Sequence, residues 1–387
     1  MRILHTSDWH IGRRLGRHDR TDEFRAVLSE LTQIARSNEV DLVLVSGDVF
    51  DRPFPPVEAL SLGLGALRDL AEVAPVVAVA GNHDSPELFD ALAPLLRTQG
   101  KGVHLLGAIR RPEDGAMFTP DVLGVGAVVA GFPFLREGRV VDFMRDTGEW
   151  YGAYATKVGA ITAVLNRAIV DAAGADAVPI LMAHFMVGGV KVGGSERELH
   201  IGEAYAATAQ AIPPGPAYVA LGHIHAPQRV PGSPVPAEYA GSLLALDFGV
   251  AGDTKRVVLV DAAPGRLAVA TSVPLVSGRS LVRATGTWDE LEARVEELRE
   301  HYLDLTIPVG GADPELGRLA SDTFPYLVNV RVRRPDGDGS PRRQGVGPRP
   351  DEELYAAFVE RETGQPPTPA AIALFRQILE EAHDAAP

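Results

Sequence analysis

Five short motifs, each placed where an apolar run ends, constrain this chain more than any other feature of its sequence. They are Asp8-Trp9-His10, Gly47-Asp48, Gly81-Asn82-His83-Asp84, His184 and Gly222-His223-Ile224-His225. The strand candidates are residues 3–6, 42–45, 76–80, 128–132, 180–183 and 218–221; several are apolar throughout. Unbroken apolar runs of this length suit strands covered on both faces. Between the first two lies a helical pattern in which Phe24, Val27, Leu28, Leu31, Ile34 and Ala35 fall on one face. Asp22 and Glu23 sit in its first turn, where the helix dipole favours negative charge. A second helical stretch runs from about 57 to 72, weakened by Gly63 and Gly65. The alternation reads as a doubly wound α/β fold, in which ligands gather beyond the carboxyl ends of the strands. Asp8 and His10, like His223 and His225, are spaced i and i+2, which in extended backbone turns both side chains to one face.

Taken singly, each motif has an ordinary explanation as a turn, a loop opening or a satisfied histidine. Together, five of the chain's eleven histidines fall in these few residues, and that concentration points to metal. The sequence has no cysteine, so thiolate sites and disulfides are excluded and any ion is held by nitrogen and oxygen. Such donors suit Mn²⁺, Fe²⁺ or Zn²⁺. Asp8, His10, Asp48, Asn82, His184, His223 and His225 are the candidate ligands. Two cations about 3.5–4 Å apart clamp a phosphate and lower the pKa of a water between them. One carboxylate must then bridge, and Asp48 is the candidate. His83 is the candidate for orienting the phosphate or protonating the leaving oxygen, with Asp84 steering its ring.

Composition narrows the partners. A formal net charge of −14 argues against coating nucleic acid by bulk electrostatics, so any grip on phosphates must be local. Basic residues cluster at Arg13, Arg14, Arg17 and Arg20, directly after the first motif, and again at Arg331, Arg333, Arg334, Arg342 and Arg343. Arg13, Arg14 and Arg17 are the candidate DNA contacts. The N-terminus reads straight into a strand with no secretory pattern, and the longest apolar stretch, around 122–132, is too short to span a bilayer. Cytoplasm is the expected location, without membrane association.

After residue 271 the character changes. Residues 280–285 and 326–332 read as strands and 288–302 as an amphipathic helix, a small α+β unit. A Gly-, Pro- and Arg-rich linker follows, and the chain closes with helices expected at 352–362 and 370–384, the second opened by Thr368-Pro369. Their stripes, Leu354, Tyr355, Phe358 and Val359, and Ile372, Phe375, Ile378 and Leu379, suit a partner helix or their own domain equally.

The order of the five motifs resembles the calcineurin-like metallophosphoesterase superfamily. The strings RILHTSDWHIGRRL, SGDVFDRP, AGNHDSPE, LGHIHAPQ and AGSLLALDFG are similar to the SbcD-type DNA repair nucleases within it. The resemblance implies a β-sandwich of two mixed sheets flanked by helices, in place of the plain doubly wound sheet. It divides the chain into a nuclease domain (1–275), a capping domain (276–334), a linker (335–350) and partner-binding helices (351–387). It assigns Asp8, His10, Asp48 and His225 to one metal, Asp48, Asn82, His184 and His223 to the other, and catalysis to His83. It further implies manganese and single-strand endonuclease activity. With an SbcC-type coiled-coil ATPase it implies ATP-dependent double-strand exonuclease activity and hairpin opening, in DNA repair, recombination and replication. A homodimer formed through helices at about 57–96 and a cytoplasmic, nucleoid-associated setting complete the expectation. The same metal set would also serve a phosphatase or small-molecule phosphodiesterase, and a scaffold with a vestigial site is the non-enzymatic alternative.

Overall fold

A computed structural model of the chain describes residues 1–97, 101–135, 154–192, 206–207, 211–309 and 314–333, together with 355, 359, 367–368, 371–372 and 374–375. Two six-stranded mixed sheets stack face to face. The first contains β1 (Arg2–Thr6), β2 (Leu42–Val45), β3 (Val76–Val79), β4 (Val103–Leu106), β13 (Arg256–Asp261) and β14 (Val269–Pro274), in the order β14-β13-β1-β2-β3-β4. The second contains β5 (Met117–Phe118), β6 (Ala127–Phe132), β7 (Val178–His184), β10 (Tyr218–Gly222), β11 (Gln228–Arg229) and β12 (Ala237–Tyr239), in the order β11-β12-β10-β7-β6-β5. A two-residue pair, β8 (Met186–Val187) with β9 (Ala206–Ala207), lies apart. Neighbours from β1 to β4 run parallel, as do β6, β7, β10 and β12, while β13 and β14 join antiparallel.

The apolar runs are continuous because both faces of the first sheet are covered. Ile3, Leu42, Leu44, Val77 and Val79 enter the core shared with the second sheet and helix α4 (Tyr154–Ala173). Their neighbours Leu4, Val43, Val45, Val76 and Ala78 enter a separate core under α1 (Thr21–Ser37), α2 (Val57–Ala71) and α3 (Pro86–Leu96). A sandwich with helices outside is therefore the fold, and the doubly wound reading gives way to it. A short apolar run says that both faces are covered but not whether helix or sheet does the covering.

Residues 281–309 and 314–333 form a small lobe with a core of its own around Leu291, Leu298, Leu303, Leu305, Ile307 and Phe324. Its parallel sheet has the order β15 (Leu281–Thr285), β16 (Tyr302–Pro308), β17 (Leu327–Arg333). The helix expected over 288–302 is two short ones, Trp288–Glu292 and Val295–Leu298, the first opened by a Thr287/Glu290 capping box. Tyr302 instead opens β16, pairing with Leu281, and its hydroxyl donates to Glu23 Oε1 at 2.5 Å. Tertiary pairing thus overrides the helical spacing. Arg20 and the Arg279 amide also donate to Glu23, both at 3.0 Å, and His18 Nε2 donates to the Leu327 carbonyl at 2.8 Å. The segment that follows His10 is thereby seated on the lobe.

Residues 335–387 form a second compact unit. The linker and most of both terminal helices lie outside the described residues. Within the unit, Thr368 Oγ1 accepts from the Ala371 amide at 3.3 Å, as the N-cap reading expects, and the Tyr355 and Phe375 rings stack at 4.3 Å. No described helix is long and apolar enough to cross a membrane.

Candidate metal centre

β1, β2, β3, β7 and β10 all end at one edge of the sandwich, where the loops beyond them carry the five motifs. The loops are laced together by backbone: Asp8 N donates to Gly47 O, and His10 N to Asp48 O, each at 2.9 Å. Asp8, His10, Asp48 and His223 adopt φ of 51°, 49°, 52° and 99°. The i, i+2 pairs therefore do not converge through extended backbone as the spacing suggested. Left-handed turns aim these side chains instead, a conformation costing of order 1–3 kcal/mol per non-glycine residue and concentrated at functional sites.

The donor atoms fall into two groups. His10 Nε2 lies 3.0 Å from His225 Nε2 and 3.6 Å from Asp48 Oδ2, and with Asp8 these residues place ligand atoms within 4.8 Å of one another. Asn82 Oδ1 lies 3.0 Å from His184 Nε2 and 2.9 Å from His223 Nδ1, and His184 Nε2 is 3.5 Å from Asp48 Oδ2. Asp48 Oδ2 thus faces a histidine of each group. Ligands about 2.1 Å from a common ion and roughly 90–110° apart are themselves about 3.0–3.4 Å apart, so the closest spacings are those of shared coordination. Every candidate ligand is at most 3% exposed. Buried nitrogen and oxygen donors this close, without sulfur, fit a divalent cation.

The histidine tautomers are set from behind. His184 Nδ1 donates to the Ser46 carbonyl at 2.7 Å, which leaves Nε2 its lone pair. His83 Nδ1 donates to the Asp51 carbonyl at 2.9 Å, which puts the lone pair of this ring on Nε2 as well. Asp84 accepts from the amides of Val49, Phe50 and Gly81, so its carboxylate ties the second and third motifs together. Beneath the centre, Tyr218 donates to His5, His5 to Ser46 and Ser46 to the Ala220 carbonyl, at 2.9, 3.1 and 3.2 Å, a relay joining the two sheets.

Electrostatics show how much charge is packed here. Burial pushes the Asp8 carboxyl up to about 6, with Asp48 adding and His184, His10 and Ser7 opposing. Burial pushes Asp48 up too, but His184, His83 and His10 outweigh it and hold the group well below the usual carboxylate range. Burial lowers His184, but the charges of Asp48 and Asp8 and its hydrogen bonds overcome this and raise it to about 9. At neutral pH a cation must therefore displace a proton from His184. Apparent metal affinity is expected to rise by up to about tenfold per pH unit between pH 6 and 8, with proton release on binding. Calorimetry in buffers of different ionisation enthalpy measures both, and pH-independent uptake without proton release would contradict it.

Of the three arginines expected to touch DNA, Arg14 and Arg17 are exposed, with Arg14 donating to the Arg17 carbonyl at 2.7 Å. Arg13 is half-buried and donates to Asp51 Oδ1 at 3.2 Å. Arg20, grouped with them by sequence, is buried against Glu23 and the Ala245 carbonyl and belongs to no surface patch. The sequence reading missed Asp51, whose only signal was its place three residues after Asp48 in SGDVFDRP.

Residues 1–227 match the calcineurin-like phosphoesterase family. The SbcD subunit of the nuclease SbcCD from Bacillus subtilis is 34% identical over 384 residues, covering 94% of each chain. The chain belongs to the SbcD family of calcineurin-like phosphoesterases. Its Rhodobacter capsulatus relative is 34% identical, covering 77% of this chain and 76% of that one, and the Escherichia coli K12 relative is 32% identical, covering 78% and 74%. Among solved structures, a dimetal phosphatase from Danio rerio has a TM-score of 0.44 at 10% identity, covering 72% of this chain and 99% of that one, a likeness too distant to carry an argument. As a member of the SbcD family the chain is a metal-dependent nuclease that hydrolyses phosphodiester bonds, and its buried Asp/His cluster is a divalent-metal site.

Proposed function

We propose that the chain is the nuclease subunit of an SbcC-type complex, cutting DNA at a centre of two Mn²⁺ ions. Asp8, His10, Asp48 and His225 hold one ion and Asp48, Asn82, His184 and His223 the other. The observation that carries this is Asp48 Oδ2, 3.6 Å from His10 Nε2 and 3.5 Å from His184 Nε2, between two donor groups drawn from five segments. Bound there, the cations supply Lewis-acid polarisation of a phosphoryl oxygen and an activated water. His83, its ring oriented by the Asp51 carbonyl so that Nε2 carries the lone pair, orients the phosphate and, once protonated, delivers a proton to the departing oxygen. Asp84 holds the loop that carries His83 by its three amide contacts.

Arg14 and Arg17 are exposed and follow His10 by four and seven residues, which supports reading them as the phosphate contacts of the basic cluster. Arg14→Glu with Arg17→Glu is expected to weaken DNA binding and to reduce the slope of log affinity against log salt by about 2, near 0.9 for each phosphate no longer neutralised. Binding titrations at several salt concentrations measure the slope, and an unchanged slope removes these residues from the interface.

The homodimer belongs to the same reading. Phe54, Val57 and Leu95, 86%, 76% and 76% exposed around the helices at 57–96, are large apolar groups that a second copy would cover. The terminal helices would dock on the coiled coil of an SbcC-type ATPase, which supplies ATP dependence, double-strand exonuclease activity and hairpin opening. A cytoplasmic, nucleoid-associated setting follows.

Incubation with Mn²⁺ and a labelled DNA hairpin or single strand, beside a chromogenic phosphomonoester, tests the assignment. DNA cleavage that His83→Ala abolishes, with little monoester turnover, is the expected result. Monoester turnover far above DNA cleavage would place the chain with the phosphatases of this fold.

A further inference from the structure

Asp51 faces the catalytic cluster from the side opposite the shared donor atoms. Its carbonyl accepts from His83 Nδ1 at 2.9 Å. Its carboxylate stands 3.6 Å from His10 Nδ1 and 3.2 Å from Arg13 Nη1. His10, Asp51 and His83 place ligand-type atoms within 4.8 Å of one another, and the two imidazoles meet edge to face at 4.6 Å. One residue therefore touches both the histidine that points to the metal group and the one assigned to the leaving oxygen.

The chemistry explains why a carboxylate is wanted here. His10 Nε2 faces His225 and Asp48, so it serves as a ligand only while its lone pair is free, which requires the ring proton on Nδ1. His10 Nδ1 is buried with no hydrogen-bond partner among the described residues, and the Asp51 carboxylate is the anion beside it. An anion next to a buried N–H stabilises that tautomer and makes the opposite nitrogen a better donor to metal. Arg13 donates to the same oxygen, Asp51 Oδ1, that stands beside His10 Nδ1, which gives this arginine a structural task apart from any DNA contact.

We propose that Asp51 is a positioning residue of the nuclease centre, its carboxylate, clamped by Arg13, fixing the tautomer of His10 while its carbonyl fixes that of His83. The inference rests on the assignment of His10 as a metal ligand and His83 as the proton donor. The bland alternative is that Asp51 merely closes the loop after the second motif through its ion pair.

The test uses the full chain labelled with ¹⁵N-histidine, as wild type, Asp51→Ala, Asp51→Asn and Arg13→Ala. In the metal-free wild type, at a pH high enough for both rings to be neutral, His10 and His83 are expected as the tautomer protonated at Nδ1. Asp51→Ala should leave His83 unchanged, because the carbonyl remains, and turn His10 into a mixture. Its Mn²⁺ affinity should fall by about 10–100-fold, the usual cost of losing a group behind a metal ligand. Its kcat on a single-stranded oligonucleotide should fall with KM within about threefold. Asp51→Asn, which keeps an acceptor without the charge, should lie between, and it decides the matter if the alanine variant fails to fold. Arg13→Ala should shift Mn²⁺ affinity in the same direction by less.

A His10 tautomer, Mn²⁺ affinity and kcat unchanged in Asp51→Ala would overturn the proposal. So would a change confined to KM, which would make Asp51 a substrate contact. If the wild type binds Mn²⁺ but cuts no DNA, the nuclease reading fails, while the tautomer and affinity measurements still judge Asp51 by themselves.

Discussion

Asp48→Asn is expected to lower Mn²⁺-dependent DNA cleavage by about a thousandfold or more, roughly 4 kcal/mol of transition-state stabilisation. The substitution preserves shape and leaves an oxygen for the His83 amide, which donates to Asp48 Oδ1 at 2.7 Å. What it removes is the negative charge facing histidines of both donor groups. Both ions should be weakened together, since Asp48 Oδ2 lies 3.6 Å from His10 Nε2 and 3.5 Å from His184 Nε2. The protonation of the remaining acids should also respond. Asp8 and Asp84 stand at about 6, first through burial and then through the Asp48 charge, and both should drop toward the ordinary range. Steady-state cleavage with a parallel Mn²⁺ titration reads the effect. An Asn variant that keeps two ions and near-normal turnover would show that the bridge lies elsewhere.

Gly222→Ala should be nearly as damaging, although glycine has no part in the chemistry. A Cβ at this position would lie 1.9 Å from the Ser46 carbonyl oxygen and 2.9 Å from His184 Nδ1. Gly222 pairs with His184 across β10 and β7, so the strand has no freedom to slide away. The clash would push aside the carbonyl to which His184 donates, releasing the tautomer and the ring orientation together. Overpacking of this kind costs about 1–3 kcal/mol of stability, and disturbing the support of a ligand about 10–100-fold in metal affinity. Gly65→Ala is the control: it lies inside α2 with nothing within 4 Å of the added methyl. It should raise stability by up to about 1 kcal/mol and leave metal binding untouched. Thermal unfolding with and without Mn²⁺ separates the two. A Gly222→Ala protein with normal metal-dependent stabilisation would show that the carbonyl is not what holds His184.

The same glycines explain how much of the centre was legible in the sequence. Gly47, Gly81 and Gly222 each precede a candidate ligand, and at each an added Cβ would strike His184, Asp48 or Ser46 at close range. The spelling Gly-ligand therefore records close approach of backbone to side chain, and it can be read without coordinates. The strands were legible for a similar reason, because residues 42–45 and 218–222 are apolar on both faces and buried on both. Less was visible where contacts are long-range. Nothing local to Arg20 signals its bond to the Ala245 carbonyl 225 residues away, and nothing local to Tyr302 signals its hydroxyl on the Glu23 carboxylate 279 residues away. The left-handed turns at Asp8, His10, Asp48 and His223 escaped for another reason. Asp and His tolerate positive φ better than most side chains but adopt it at only a small minority of positions, so residue type alone does not announce these turns.

Anomalous diffraction at the manganese edge from crystals of the Mn²⁺-loaded protein tests the two-ion centre most directly. Two peaks about 3.5–4 Å apart are expected, one among Asp8, His10 and His225 and the other among Asn82, His184 and His223, with Asp48 touching both. A single peak, or two that do not share Asp48, would contradict it.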